Sequence, residues 1–325
     1  MKQYIFEEQY QPVWQQLEGI LQELETKKKS LLDRQSLRQF SRFYRQTCYH
    51  YSIAKTRQYS PHLITRLHDL VLRAHQHLYS SKHFIAWRII QFIMVDFPVT
   101  LRKNLRFLWL SAALLYVPGI IIGLLCFYNA DFVYSILSED EVFSFELMYS
   151  PTADVLGRTR ESATDIYMFG YYIKHNIGIG FRTFAGGLLL GIGAVFSLLF
   201  NGVFLGAVSG YLSQLGYTET FWPFVAGHSA FELTAICICG AAGLRIAYPL
   251  FAPGRLRRMD ALRLSAREAV VLVIGAAFML VGAAFIEAFW SSNRAFDPAV
   301  KYTVAAFFWI LVIAYLSLTG RSHAN

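Results

Sequence analysis

Apolar positions recur at helical spacing through the first eighty residues. Phe6, Trp14, Leu17, Ile20, Leu21 and Leu24 mark one stripe, which the charged run ETKKKS closes. Leu31, Leu37, Phe40, Tyr44, Cys48 and Tyr51 form a second. A third opens at Ser60 as cap with Pro61 at the first helical position, then runs through Leu63, Ile64, Leu67, Leu70, Val71 and Ala74. Three amphipathic helices of this length predict a small soluble bundle over residues 1–82. The next stretch, FIAWRIIQFIMVDFP, is too short to span a bilayer cleanly and carries Arg88 and Asp96. It predicts an interfacial helix over 83–98, ended by Pro98.

From Phe107 the pattern changes. Five long apolar segments follow, at about 107–128, 184–212, 224–248, 269–290 and 300–319. Each reaches the roughly 18 to 20 residues a membrane crossing needs. Composition agrees: 55% of residues are hydrophobic and 16% charged, with mean hydropathy +0.36, where soluble domains carry about a quarter charged residues. The predicted class is all-α: a polytopic helical membrane domain over 99–325 behind a soluble helical bundle.

Charge sets the expected orientation. Residues 1–106 hold 17 Lys or Arg against 8 Asp or Glu, and LRKNLR precedes the first apolar segment. The loop 249–268 carries Arg255, Arg257, Arg258, Arg263 and Arg267, so both regions are expected in the cytoplasm. Segment 129–165, with eight acidic residues and only Arg158 and Arg160, suits the outer side. Residues 1–30 contain five glutamates and no apolar h-region, which predicts a cytoplasmic N-terminal region. The C-terminus is expected on the same side. Five simple crossings violate these assignments, because an odd number must lie between 129 and 249. Either 184–212 is a broken, re-entrant hairpin interrupted at Asn201-Gly202, or 166–183 makes a sixth crossing. The re-entrant version is preferred here.

Polar residues at membrane depth are the candidate chemistry. His175 and Asn176 precede a Gly-rich run, Asn201 and Gly202 interrupt another segment, and His228 and Glu232 lie one helical turn apart. The bland reading is a tight packing core in which these groups satisfy one another. Zinc-protease chemistry would need a second His and a further ligand, and none follows Glu232 in the same segment. Ser229 beside His228 makes no triad, since sequence neighbours on a helix do not face each other. Four scattered cysteines exclude a disulfide framework, and no Walker-type phosphate loop is present. Neither enzyme activity, a cofactor nor a metal is expected. The positive charge has membrane topology as its simpler explanation, so anionic lipid is expected at the basic faces and nucleic acid is not.

Three ordered motifs carry a resemblance. YYIKHNIGIGFRTFAGGLLLGIG, LLFNGVFLGA and GHSAFELTAICICGAAGLRI are similar to the stage II sporulation protein M family, as is LLDRQSLRQFSRFYRQTCYHYSIAKTR with LHDLVLRAHQHLY in the N-terminal part. The family's His-Asn pair matches His175 and Asn176, its Asn-Gly matches Asn201 and Gly202, and its His-Gly-x-x-Glu-Leu matches His228 and Glu232-Leu233. Ser229 departs from the family's usual glycine. The resemblance implies a bacterial inner-membrane component of an envelope-associated complex. It also implies partners among envelope proteins and MoxR-type AAA+ ATPases, and no defined biochemical activity. Two functions are therefore expected to compete. One is a homo-oligomeric membrane scaffold that recruits partners through its N-terminal helices. The other is a transporter or channel with a polar site at Asn176, Asn201, His228 and Glu232.

Overall fold

The computed structural model describes residues 2–26, 34–79, 82–152, 156–157 and 165–321. Every regular element among them is helical. The chain divides into two compact units, Met1–Ile90 and Gln91–Asn325.

The first unit contains α1 (Gln3–Thr26), α2 (Arg34–Thr56), α3 (Pro61–Tyr79) and most of α4 (Lys82–Gln91). The apolar stripes meet as expected: Phe6, Trp14, Leu17 and Leu21 of α1 pack with Phe40 of α2 and with Leu63, Leu67, Leu70 and Ala74 of α3. Leu31 and the side chain of Leu37 lie outside the described residues. Each large side chain buried here contributes about 1.5–3 kcal/mol. Ser60 caps α3 by accepting from the Leu63 amide at 3.4 Å. The Gln3 side chain both donates to Ser60 Oγ at 2.8 Å and accepts from its amide at 3.0 Å, pinning the start of α1 to the start of α3. Further along, Glu18 meets Arg66 at 3.3 Å and Glu25 takes both arms of Arg73 at 3.1 and 2.9 Å, so α1 and α3 run parallel. Contact with Arg73 lowers the Glu25 pKa.

His50 supplies this unit with a pH dependence. It is buried on α2, and its Nδ1 accepts from Trp14 Nε1 at 3.1 Å. Burial disfavours the imidazolium and pushes its pKa below the usual 6.5. The unfolded chain then binds a proton more readily than the folded one as pH falls, so stability is lost in that direction. Amide exchange from α1 in the intact protein should accelerate, after correction for intrinsic rates, as pH falls from neutrality through 6.5 and below. His50→Leu should flatten that dependence. An unchanged profile in this variant would assign the effect elsewhere.

The second unit begins with a π-helical turn (Phe92–Asp96) leading into α5 (Phe97–Lys103). Pro98 does not end a helix, as the pattern predicted. It follows directly on the π turn in an unbroken right-handed helix, and the Ile93 carbonyl of that turn accepts from Tyr315 Oη. Then follow α6 (Leu105–Tyr128), a 3₁₀ turn (Ala130–Ser135) and α7 (Glu139–Tyr149). A reciprocal cap starts α7: Ser138 Oγ accepts from the Glu141 amide, and the Glu141 carboxylate accepts from Ser138 N at 2.9 Å. After α8 (Asp165–Ala185) and a 3₁₀ turn (Gly186–Leu188) come α9 (Ile192–Gln214) and α10 (Thr218–Phe251). α11 (Arg258–Ile286) runs on into a π turn (Glu287–Ser291), and α12 (Pro298–Leu318) completes the set.

Five of these, α6, α9, α10, α11 with its π turn, and α12, are long and apolar enough to cross a membrane. The protein is a multi-pass membrane protein. α10 is central, packing on α6, α8, α9, α11 and α12. Its sequence explains this: Gly227, Ala230, Ala235, Gly240, Ala241, Ala242, Gly243 and Ala247 make it narrow on every side.

The expected break at Asn201-Gly202 is absent, and α9 continues unbroken through it. The chain turns earlier, between Gly186 and Gly191, where Leu190 (φ 54°) and Gly191 (φ 81°) are left-handed. Residues 166–183 form α8, a full helix packed on α10, α11 and α9. Gly202 serves a different purpose. Gly202, Gly206 and Gly210 form a ridge on α9 that lies on the backbone of α6. A Cβ at Gly206 would stand 2.2 Å from the Gly119 carbonyl oxygen.

Candidate functional site

Three helices bring polar side chains together inside the second unit. His228 and Glu232 share a face of α10, with His228 Nε2 3.7 Å from Glu232 Oε2. The π turn that ends α11 presents Glu287 and Ser291 to the same place. His228 Nδ1 lies 3.1 Å from Ser291 Oγ, and one ligand atom from each of His228, Glu232 and Glu287 lies within 4.8 Å of the others. Asn176 on α8 donates to Glu287 Oε2 at 3.4 Å. His228 and Asn176 are buried, Glu232 and Glu287 partly so. Local π-helical geometry recurs at functional sites because it displaces side chains from ordinary helical register. Gly227 lets α10 approach that turn, since a Cβ there would meet Ser291 Oγ at 2.9 Å.

Two further interactions frame the cluster. Lys301, almost fully buried at the start of α12, donates to the Ser291 carbonyl at 2.8 Å and fixes the π turn from behind. Phe224 contacts His228 edge-on, with ring centroids 5.5 Å apart. The cluster is offset along the bundle. By the rise of an α-helix, His228 stands roughly 15 Å from the Thr218 end of α10. That is the end that carries α7, as the bond from Thr220 Oγ1 to the Tyr149 carbonyl shows.

The candidates taken from sequence separate in space. Asn176, His228 and Glu232 converge. Asn201 does not join them: its amide donates to Ser197 O at 2.7 Å on its own helix, beside a Thr183–Ser197 contact of 2.6 Å that ties α8 to α9. Gly202 belongs to the α6–α9 contact. His175 is half-buried and stacks on Tyr171, with centroids 5.8 Å apart. Glu287, Ser291 and Lys301 were missed. Glu287 was detectable as the one carboxylate within the apolar segment 269–290, the signal that had drawn attention to Glu232. The third ligand-type group that Glu232 lacked in its own segment comes from the facing helix.

Comparison with known proteins bears on the same region. Residues 112–292, which include every member of the cluster except Lys301, match the family model described as Stage II sporulation protein M. Residues 5–80 match a second model, described only as a domain of unknown function (DUF8413). No curated protein and no solved structure matches. With more than half of its length matched, the chain belongs to the stage II sporulation protein M family.

Proposed function

We propose that the protein is an integral assembly component of a bacterial cell-envelope complex. It lies in the inner membrane with both termini cytoplasmic, and residues 1–80 recruit a partner to the membrane domain. The observation that carries this reading is the bundle itself. It closes its own aromatic core, and that compact unit is joined in sequence to a membrane domain matched by its own family model. Contacts within the second unit support the orientation. Arg102 donates to Leu316 O and Thr319 O at 2.8 and 2.7 Å, and Asn104 donates to Glu268 at 3.2 Å. The beginnings of α6 and α11 and the end of α12 thus share one end, with the arginines of 255–267. Tyr211 donates to Glu146 at 2.5 Å, which places the end of α9 with acidic α7 at the other. Counting α8 as a sixth crossing satisfies every charge assignment.

The test is affinity purification from native membranes in mild detergent. The intact chain should recover an ATPase or an envelope enzyme at near-stoichiometric amounts. A form lacking residues 1–80 should insert but recover none. Equal recovery by both forms would reject the proposal. A homo-oligomer carrying only lipid would favour the second reading, a transporter, to which the convergence of His228, Glu232 and Glu287 lends its weight.

A further inference from the structure

The cluster between α10 and α11 is a poor arrangement for hydrogen bonding alone. His228 Nε2 faces Glu232 Oε2 from 3.7 Å, too far for a hydrogen bond. Glu232 Oε2 is enclosed and has no hydrogen-bond donor among the described residues. A buried acceptor without a partner carries its full desolvation penalty, and Lys301, the nearby cation on α12, is committed to a backbone carbonyl. The groups that do bond hold the others in position. Ser291 takes Nδ1 of His228 and leaves Nε2 facing Glu232, and Asn176 orients the Glu287 carboxylate. An imidazole held through one nitrogen while the other faces carboxylates is the usual outer-shell arrangement around a metal ligand.

We propose that His228, Glu232 and Glu287 bind one divalent first-row transition-metal ion of the zinc or manganese type. One neutral imidazole and two carboxylates suit such an ion and match its charge, so the loaded site is neutral in an apolar core. Closing ligand atoms now within 4.8 Å onto a common centre needs only side-chain adjustment. The inference goes beyond the scaffold reading. Partner recovery by residues 1–80 and metal uptake by α10 and α11 stand or fall separately.

The test is metal uptake by the purified full-length protein. The chain is stripped with chelator, exposed to Zn²⁺ or Mn²⁺ in separate samples, passed over gel filtration, and measured for metal by mass spectrometry. One equivalent per chain is expected, together with a rise in melting temperature. Glu232→Gln and Glu287→Gln should each abolish both effects, and Ser291→Ala should weaken affinity by roughly 10–100-fold as an outer-shell change. X-ray absorption of the zinc-loaded wild type should show nitrogen and oxygen ligands. Three results would overturn the proposal. One is a monodisperse wild-type protein that takes up neither metal. Another is a zinc shell containing sulfur from Cys237 or Cys239. The third is unchanged binding in the Glu287→Gln protein. The first two need no variant to fold.

Discussion

Replacing Gly206 by leucine is expected to prevent accumulation of the folded membrane domain. A single added carbon at this position would stand 2.2 Å from the Gly119 carbonyl oxygen, a backbone atom that cannot rotate away. The same contact recurs one turn to each side, from Gly202 to the Leu115 oxygen at 2.2 Å and from Gly210 to the Gly123 oxygen at 2.1 Å. α6 and α9 therefore touch backbone to backbone at three contacts spanning about two turns, and a tilt about any one of them loses the other two. Even alanine should cost about 1–3 kcal/mol by overpacking, and leucine more. Thermal unfolding in detergent checks the alanine variant, where a loss of several degrees is expected. Gly170→Ala is the control: outside its own helix no atom of the described residues lies within 4 Å of a Cβ there, so it should be neutral or slightly stabilising. Equal melting of the two alanine variants would show that the close approach does not limit stability.

Arg245→Met should give the next largest loss. Arg245 Nε donates to Glu268 Oε2 at 2.9 Å and its Nη1 reaches Ser265, while Asn104 donates to the same carboxylate at 3.2 Å and to Thr100 O at 2.9 Å. One guanidinium and one carboxylate thus join the end of α10, the start of α11 and the junction of α5 with α6. The side chains are 18% and 35% exposed, so solvent screens part of the attraction. Removing the arginine leaves the Glu268 charge with only Asn104 as donor and takes a partner from the buried Ser265, a loss on the order of 1–3 kcal/mol. Adding Glu268→Gln to Arg245→Met should recover part of it, because the orphaned charge is then gone. A single variant melting as wild type would show the network to be dispensable.

Much of this architecture was legible from the pattern of apolar residues. The bundle's stripes and the five long apolar segments follow from period and length alone, because burial imposes both. What escaped the pattern had other causes. α8 carries Lys174, His175, Asn176 and Arg182, so it reads as polar although it packs against three other helices. Asn201-Gly202 looks like a helix breaker by local propensity, yet its glycine is there for the neighbouring backbone. The true turn, at Leu190 and Gly191, lies in a run so rich in glycine that no one position stands out. His228 and Glu232 were recognisable through their spacing of one turn. Glu287 reaches them through tertiary packing, which sequence spacing does not encode.

The His228 cluster lies much closer to the α7 end of α10 than to its Phe251 end. Towards the Phe251 end, Ile236, Ile238, Cys239, Ala241 and Ala242 of α10 are packed shut over several turns, whereas on the α7 side the buried apolar cover is Phe221 and Phe224, and a hydrated ion crosses either only if the packing opens. If α7 lies on the outer face, as proposed, the shorter route to the proposed metal site would run from the periplasm. An ion entering from that side would traverse only part of the transmembrane voltage, which exerts about 2.3 kcal/mol per elementary charge per 100 mV over its full width. Occupancy would then follow external composition far more than the energised state of the membrane.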